Sequence, residues 1–161
     1  LTDHFDPRRH VIRLSEGVYD SATIAAVGIA AHEAGHAAQY AKGYVPIKIR
    51  NALYPIANIG STLSFYIVLI GILFSYGFLV NIGIILFSCA VLFQIITLPV
   101  EFNASRRAIR VIDDTGMLSG EELPGARSVL RAAAMTYVAA LVVSLANLLR
   151  LLAIFAGRRD D

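Results

Sequence analysis

From Asn51 to Val100 the chain has no Asp, Glu, Lys, Arg or His, a run of 50 residues. As one helix it would be about 75 Å long, more than twice the roughly 30 Å hydrocarbon core of a bilayer. The run is therefore expected to fold back and cross a membrane twice. The break is predicted around Tyr76 to Asn81, where Gly77 and Asn81 offer turn chemistry between an apolar run from Leu63 and another ending near Val100. A second charge-free stretch, Ala132 to Leu149, is 18 residues long and is followed by Arg150 and more apolar residues to Gly157. It is long enough for a third crossing, with Arg150 snorkelling or paired near one end.

The pattern on either side is different. Val11 to Leu14 alternates enough for a short strand. Asp20 or Ser21 offers an N-cap to a helix over Ala22 to Ala41, which Gly43 and Pro46 end. Its 10 uncharged residues, Ala22 to Ala31, are too few to span a bilayer. Glu101 to about Asp114 reads as a further helix with Gly116 as its stop, and Ser119 with Glu122 has capping-box spacing for the next. The expected fold is mainly α: a polytopic α-helical membrane protein with a small strand-containing cap. It reads as one domain over 1–161, divided into cap and first helix (1–50), hairpin (51–100), connecting helix (101–131) and third crossing (132–157).

Composition agrees with lipid as the solvent. The chain is 57% hydrophobic and 16% charged, with a mean hydropathy of +0.64, where a soluble domain has about 25% charged residues. A net charge of +2, with basic residues scattered, gives no footprint for nucleic acid. The lone Cys89 excludes a disulfide framework within the chain and a cysteine-based zinc site. Leu1 to Ile12 contains Asp3, Asp6, Arg8 and Arg9 and no apolar core, so no signal peptide is expected there.

The chemistry lies in His32, Glu33, Ala34, Gly35 and His36, an H-E-x-x-H sequence inside a predicted helix. Residues four apart on a helix are separated by about 40° around the axis, so both imidazoles project from one face and can hold one ion. Zn²⁺ suits two imidazoles and a carboxylate while keeping a fourth position for water. Glu33 points elsewhere and is expected beside the open position, where it takes a proton from water and delivers it to a leaving amine. The small flanks Ala30, Ala31, Ala34, Ala37 and Ala38 predict close packing, and packed histidines need partners.

Glu101 is the first charge after the long run. Two crossings return it to the side from which His36 departed, whereas one would exclude it. A charge beside hydrocarbon usually has a partner, so Glu101 leads the candidates for the third ligand, ahead of His4, His10, Asp113 and Asp114. The segments Leu1 to Pro7 (LTDHFDP), His32 to His36 (HEAGH) and Leu98 to Ser105 (LPVEFNAS) resemble the bacterial neutral zinc metallopeptidase family of YugP type. The resemblance covers essentially the whole chain, including the later AAAMTYVAAL stretch. It implies His32, His36 and Glu101 as zinc ligands, Glu33 as the catalytic base, and a further membrane segment upstream. The layout is also similar to HtpX-type membrane peptidases, which often carry an aspartate four residues after the glutamate ligand. Ser105 stands at that position here and is a candidate to hydrogen-bond a ligating histidine, more weakly than a carboxylate.

For the developing oxyanion, His4, Tyr137 and Asn103 are the candidate donors. An edge strand near Val11 to Leu14 would suit an extended peptide substrate. Arg106, Arg107 and Arg110 read as headgroup-facing residues. The expected function is hydrolysis of peptide bonds by zinc-activated water in a bacterial plasma membrane protein. Its substrates are proteins or peptides, membrane proteins included, and its surroundings are the lipid bilayer. The rival is a noncatalytic scaffold with a structural metal, which would have no use for Glu33. Basic residues flank the hairpin while its turn has none, so the zinc side is expected to be cytoplasmic.

Overall fold

The computed structural model describes residues 3–157. Leu1 and Thr2 of the LTDHFDP segment, and Arg158 and Arg159 beyond the third crossing, lie outside them. The order is β1 (His4–Asp6), β2 (Val11–Arg13), α1 (Glu16–Tyr19), α2 (Ile24–Ala41), α3 (Val45–Leu73), α4 (Gly77–Thr115) and α5 (Glu122–Gly157). By length and composition α3, α4 and α5 can each cross a membrane, so the fold is mainly α with three candidate spans.

The chain forms two compact units, one from 1–48 with 98–136 and one from 49–97 with 137–161. In the first, α2, the second half of α4 and the start of α5 share a core of Ile112, Leu118 and Ala126, with Ile24, Val27, Ile109 and Leu123 packed on it. The reason is visible in α4, where Val100, Ala104, Ala108 and Ile112 recur every four residues and are all buried. β1 and β2 pair antiparallel with Phe5 opposite Ile12. β1 was not expected, and the predicted strand Val11 to Leu14 ends one residue early.

In the second unit small residues let α3 and α4 approach. A Cβ on Gly71 would lie 2.9 Å from the Val80 nitrogen, and one on Gly83 would collide with Val68, the packing that membrane helices use where no hydrophobic force joins them. Gln94 Nε2 donates to Ser144 Oγ at 3.0 Å and ties α4 to α5. Phe65, Leu73, Phe78, Ile85, Val142 and Leu149 are all exposed. Such a surface suits lipid and not water.

Helix ends differ from expectation at identifiable places. Thr23, not Asp20 or Ser21, caps α2, its Oγ1 accepting from the Ala26 N–H at 3.2 Å, while Asp20 closes α1. The hairpin turn falls at Phe74–Tyr76 and not at Tyr76 to Asn81. Ser75 takes a left-handed φ of 56°, and Tyr76 N–H reaches back to Gly71 O at 2.8 Å, so α3 closes one turn before Gly77 opens α4. Asn81 therefore sits inside α4. Glu101 does not begin a helix either: α4 runs through Pro99, because the buried stripe on its inner face continues across the switch from apolar to charged sequence. Glu122 accepts the Ser119 N–H at 3.2 Å, the backward half of the predicted capping box, and α5 starts there, ten residues before Ala132.

Candidate metal centre

The site lies within the first unit, where α2 meets α4. His32, Glu33 and His36 project from the middle of α2, and Glu101 from α4. The approach is close because Gly35, between the two histidines, has no Cβ to hold α4 off. A Cβ there would stand 2.6 Å from the Ala104 carbonyl oxygen.

His32 Nε2 lies 3.2 Å and His36 Nε2 3.7 Å from Glu101 Oε2. One ligand atom from each residue falls within 4.8 Å of the others. On a tetrahedral zinc with bonds of about 2.0–2.1 Å, ligand atoms stand about 3.3 Å apart, so the donor set fits that ion in chemistry and in spacing. Glu101 is 2% exposed and His36 8%, so little water competes for these atoms. Among the described residues His4, His10, Asp113 and Asp114 do not join the cluster. His10 instead occupies the hairpin turn, with φ of 55°, its ring edge-on to Tyr40.

Both imidazoles are oriented from behind. His32 Nδ1 is 3.1 Å from Ser105 Oγ, the contact anticipated for Ser105. His36 Nδ1 is 3.0 Å from Gln39 Oε1, a partner not anticipated. The Gln39 amino group donates to the Val100 carbonyl at 2.8 Å and to Asn103 Oδ1 at 3.0 Å. The carbonyl can only accept, which fixes the amide orientation and leaves the oxygen facing His36. Nδ1 must then carry the hydrogen, and the lone pair is left on Nε2, the atom nearest Glu101. Gln39 was legible in principle, because a residue three after His36 shares its helix face.

Burial pushes the His36 pKa down, but the hydrogen bond and charge of Glu101, helped by Gln39 and Glu33, outweigh it, and the net shift is upward. Glu33 is buried and turned to the hairpin, its Oε2 accepting the Phe5 backbone N–H at 2.9 Å. Of the oxyanion candidates, Asn103 accepts from Gln39 and Arg107 through Oδ1, and the group an oxyanion would need is its amino nitrogen. The strand that touches Glu33 is β1, and β1 and β2 pair with each other in a two-stranded sheet.

A family model described as "Putative neutral zinc metallopeptidase" matches residues 1–156. The chain is 48% identical over 161 residues to the "Putative membrane protease YugP" of Bacillus subtilis (strain 168), covering all of this chain and 72% of that protein. No solved structure matches. The convergence of two imidazoles and a carboxylate thus occurs in a sequence matched almost end to end, and the chain belongs to the neutral zinc metallopeptidase family.

Proposed function

We propose that the protein is a multi-pass membrane peptidase that hydrolyses peptide bonds, with His32, His36 and Glu101 as zinc ligands and Glu33 as general base. The observation that carries this reading is the meeting of His32, His36 and Glu101 with a further carboxylate, Glu33, held nearby but outside the ligand cluster. A structural site has no need of the fourth residue. Bound zinc supplies a Lewis acid that acidifies a water and polarises the substrate carbonyl. The protein supplies the rest: Gln39 and Ser105 keep the imidazoles facing inward, and Glu33 takes a proton from the water and passes it to the departing amine. The substrates are proteins or peptides at a bacterial plasma membrane, and the site faces the cytoplasm. Glu33→Gln tests the assignment. It should retain one zinc per chain and lose hydrolysis, and comparing membrane proteomes with wild type and variant should reveal substrates that accumulate only in the variant. Hydrolysis by Glu33→Gln at the wild-type rate would give the role of base to another group, and a zinc-loaded wild type that cleaves nothing would return the site to a structural role.

A further inference from the structure

A backbone group, not a side chain, holds the Glu33 carboxylate: the Phe5 N–H donates to Oε2 at 2.9 Å. In an antiparallel pair, opposed residues alternate between exchanging ladder bonds and not doing so. Because the Phe5 N–H is committed to Glu33, the Phe5–Ile12 pair is of the second kind, and the ladder falls to His4–Arg13 and Asp6–Val11. Phe5 is thus the residue of β1 whose amide turns out of the hairpin toward α2.

The rest of the hairpin pins that amide in place. Asp3 accepts from the Ser15 N–H at 2.6 Å and its hydroxyl at 2.9 Å, closing the open end. Asp6 accepts from the N–H groups of Arg8 and Arg9 at 2.9 and 3.3 Å and pairs with Arg13 at 3.6 Å, shaping the turn. The Phe5 and His10 rings rest on Tyr40, with centroids 5.8 and 5.5 Å away, one turn beyond His36 on α2. Asp3, Phe5 and Asp6 of the LTDHFDP segment are thus accounted for by this seating.

A carboxylate that must take a proton in a fixed direction loses rate when its torsions are free, because reacting groups have to be held close to their productive geometry. An N–H on Oε2 removes that freedom. Among the described residues no hydrogen bond reaches Oε1, which leaves the second oxygen for water. We propose that the Phe5 backbone amide is the positioning group for Glu33, and that the N-terminal hairpin delivers it. This rests on Glu33 being the general base.

The test removes one hydrogen. Phe5 is replaced by its α-hydroxy analogue, which turns the amide into an ester and keeps the ring on Tyr40. The same replacement at Arg13 deletes a ladder N–H and weakens the hairpin without touching Glu33. With fluorescein-labelled casein as substrate, the Phe5 ester should keep its zinc and KM while kcat falls roughly ten- to hundred-fold, the loss expected for a hydrogen bond to a charged group. Affinity for acetohydroxamate, which engages a metal and the adjacent carboxylate together, should fall with it. The Arg13 ester should melt earlier with kcat near wild type. Tyr40→Ala, which loosens the hairpin's seat and spares every ligand, should lower kcat at constant zinc affinity, and it decides the matter if the esters do not fold. Wild-type kcat in the Phe5 ester or in Tyr40→Ala, or equal losses in the two esters, would overturn the proposal. An inactive Glu33→Gln beside a fully active Phe5 ester would sink the positioning role alone, whereas an active Glu33→Gln would sink the base assignment itself.

Discussion

Gly35 stands so close to Ala104 that a Cβ on it would lie 2.6 Å from the Ala104 carbonyl oxygen and 3.2 Å from its Cα. Alanine is favoured over glycine in a helix by about 1 kcal/mol, so Gly35→Ala would stabilise α2 in isolation. The opposing atom is backbone, however, and cannot swing aside. Overpacking costs about 1–3 kcal/mol, and the shift that relieves it separates His32 and His36 from Glu101. Gly35→Ala is expected to lower both the melting temperature and zinc affinity, although it alters no ligand. A variant that binds zinc as wild type does and melts later would show that the helices part without disturbing the site.

Glu101 and Glu33 should separate in phenotype. Glu101→Ala removes a candidate ligand and leaves the two imidazoles, His36 buried and His32 half-buried, sharing an incomplete site, so zinc affinity should drop by tenfold or more, roughly the effect of losing even an outer partner of a metal site. Glu33→Gln should leave the affinity close to wild type. Competition with a chromogenic chelator measures both. Equal affinities for Glu101→Ala and wild type would mean that another residue completes the site.

Gln39 is completely buried and bonded to His36, Val100 and Asn103. Gln39→Leu keeps the volume and leaves the His36 Nδ1–H and the Val100 carbonyl without this partner. Zinc should bind about 10- to 100-fold more weakly. Gln39→Glu restores an acceptor for His36 but not the donors to α4, and should recover only part of the loss. If Gln39→Leu binds zinc as tightly as wild type, the tautomer of His36 is set by something else.

The His36 shift fixes a sign for pH. Its folded pKa lies above the usual 6.5, because Glu101 outweighs burial. In metal-free protein the stabilisation from that pair is present in full below about 6.5 and lost as pH rises through the folded value. Zinc competes with the same proton for Nε2, so its affinity should begin to fall on acidification while the pH is still above 6.5. Chelator-treated protein should therefore gain stability relative to the zinc form as pH is lowered from 8 to 6, read from paired melting curves. An unchanged difference across that range would contradict the Glu101–His36 coupling.

The parts of this arrangement that were legible in the sequence are those whose cause is local. Gly43 and Gly116 signal helix stops in the sequence, and each takes a left-handed φ at the end of α2 or α4. Ser75 does the same for α3 without a glycine to announce it, and the expectation slid to Gly77. The three residues of β1 are too few to show alternation, and their order comes from Asp3, Tyr40 and Glu33, contacts remote in sequence. His32, His36 and Glu101 could be assembled from helix geometry and a count of crossings. Gln39 shares the face of His36 by its spacing, but nothing in the sequence shows that it reaches the Val100 carbonyl, so it does not stand out from a surface glutamine.

Membrane orientation follows from charges around the hairpin. Lys42, Lys48 and Arg50 precede it and Arg106, Arg107 and Arg110 follow it, while the turn from Phe74 to Tyr76 has none. Short loops rich in Lys and Arg stay in the cytoplasm, so the turn is expected outside and His36, close in sequence to Lys42, inside. The third span starts near Arg127 and Arg131 and is followed by Arg158 and Arg159, so its own bias is nearly balanced and the hairpin carries the expectation. Ser75 is a sharper reporter than Asn81, because it lies in the turn itself while Asn81 is within α4. In a Cys89→Ala background, Ser75→Cys should react with an impermeant thiol reagent added to intact cells, and Lys42→Cys should react only after the membrane is opened. Labelling of Lys42→Cys alone in intact cells would invert the topology and move proteolysis to the outer face, leaving the ligand set unaffected.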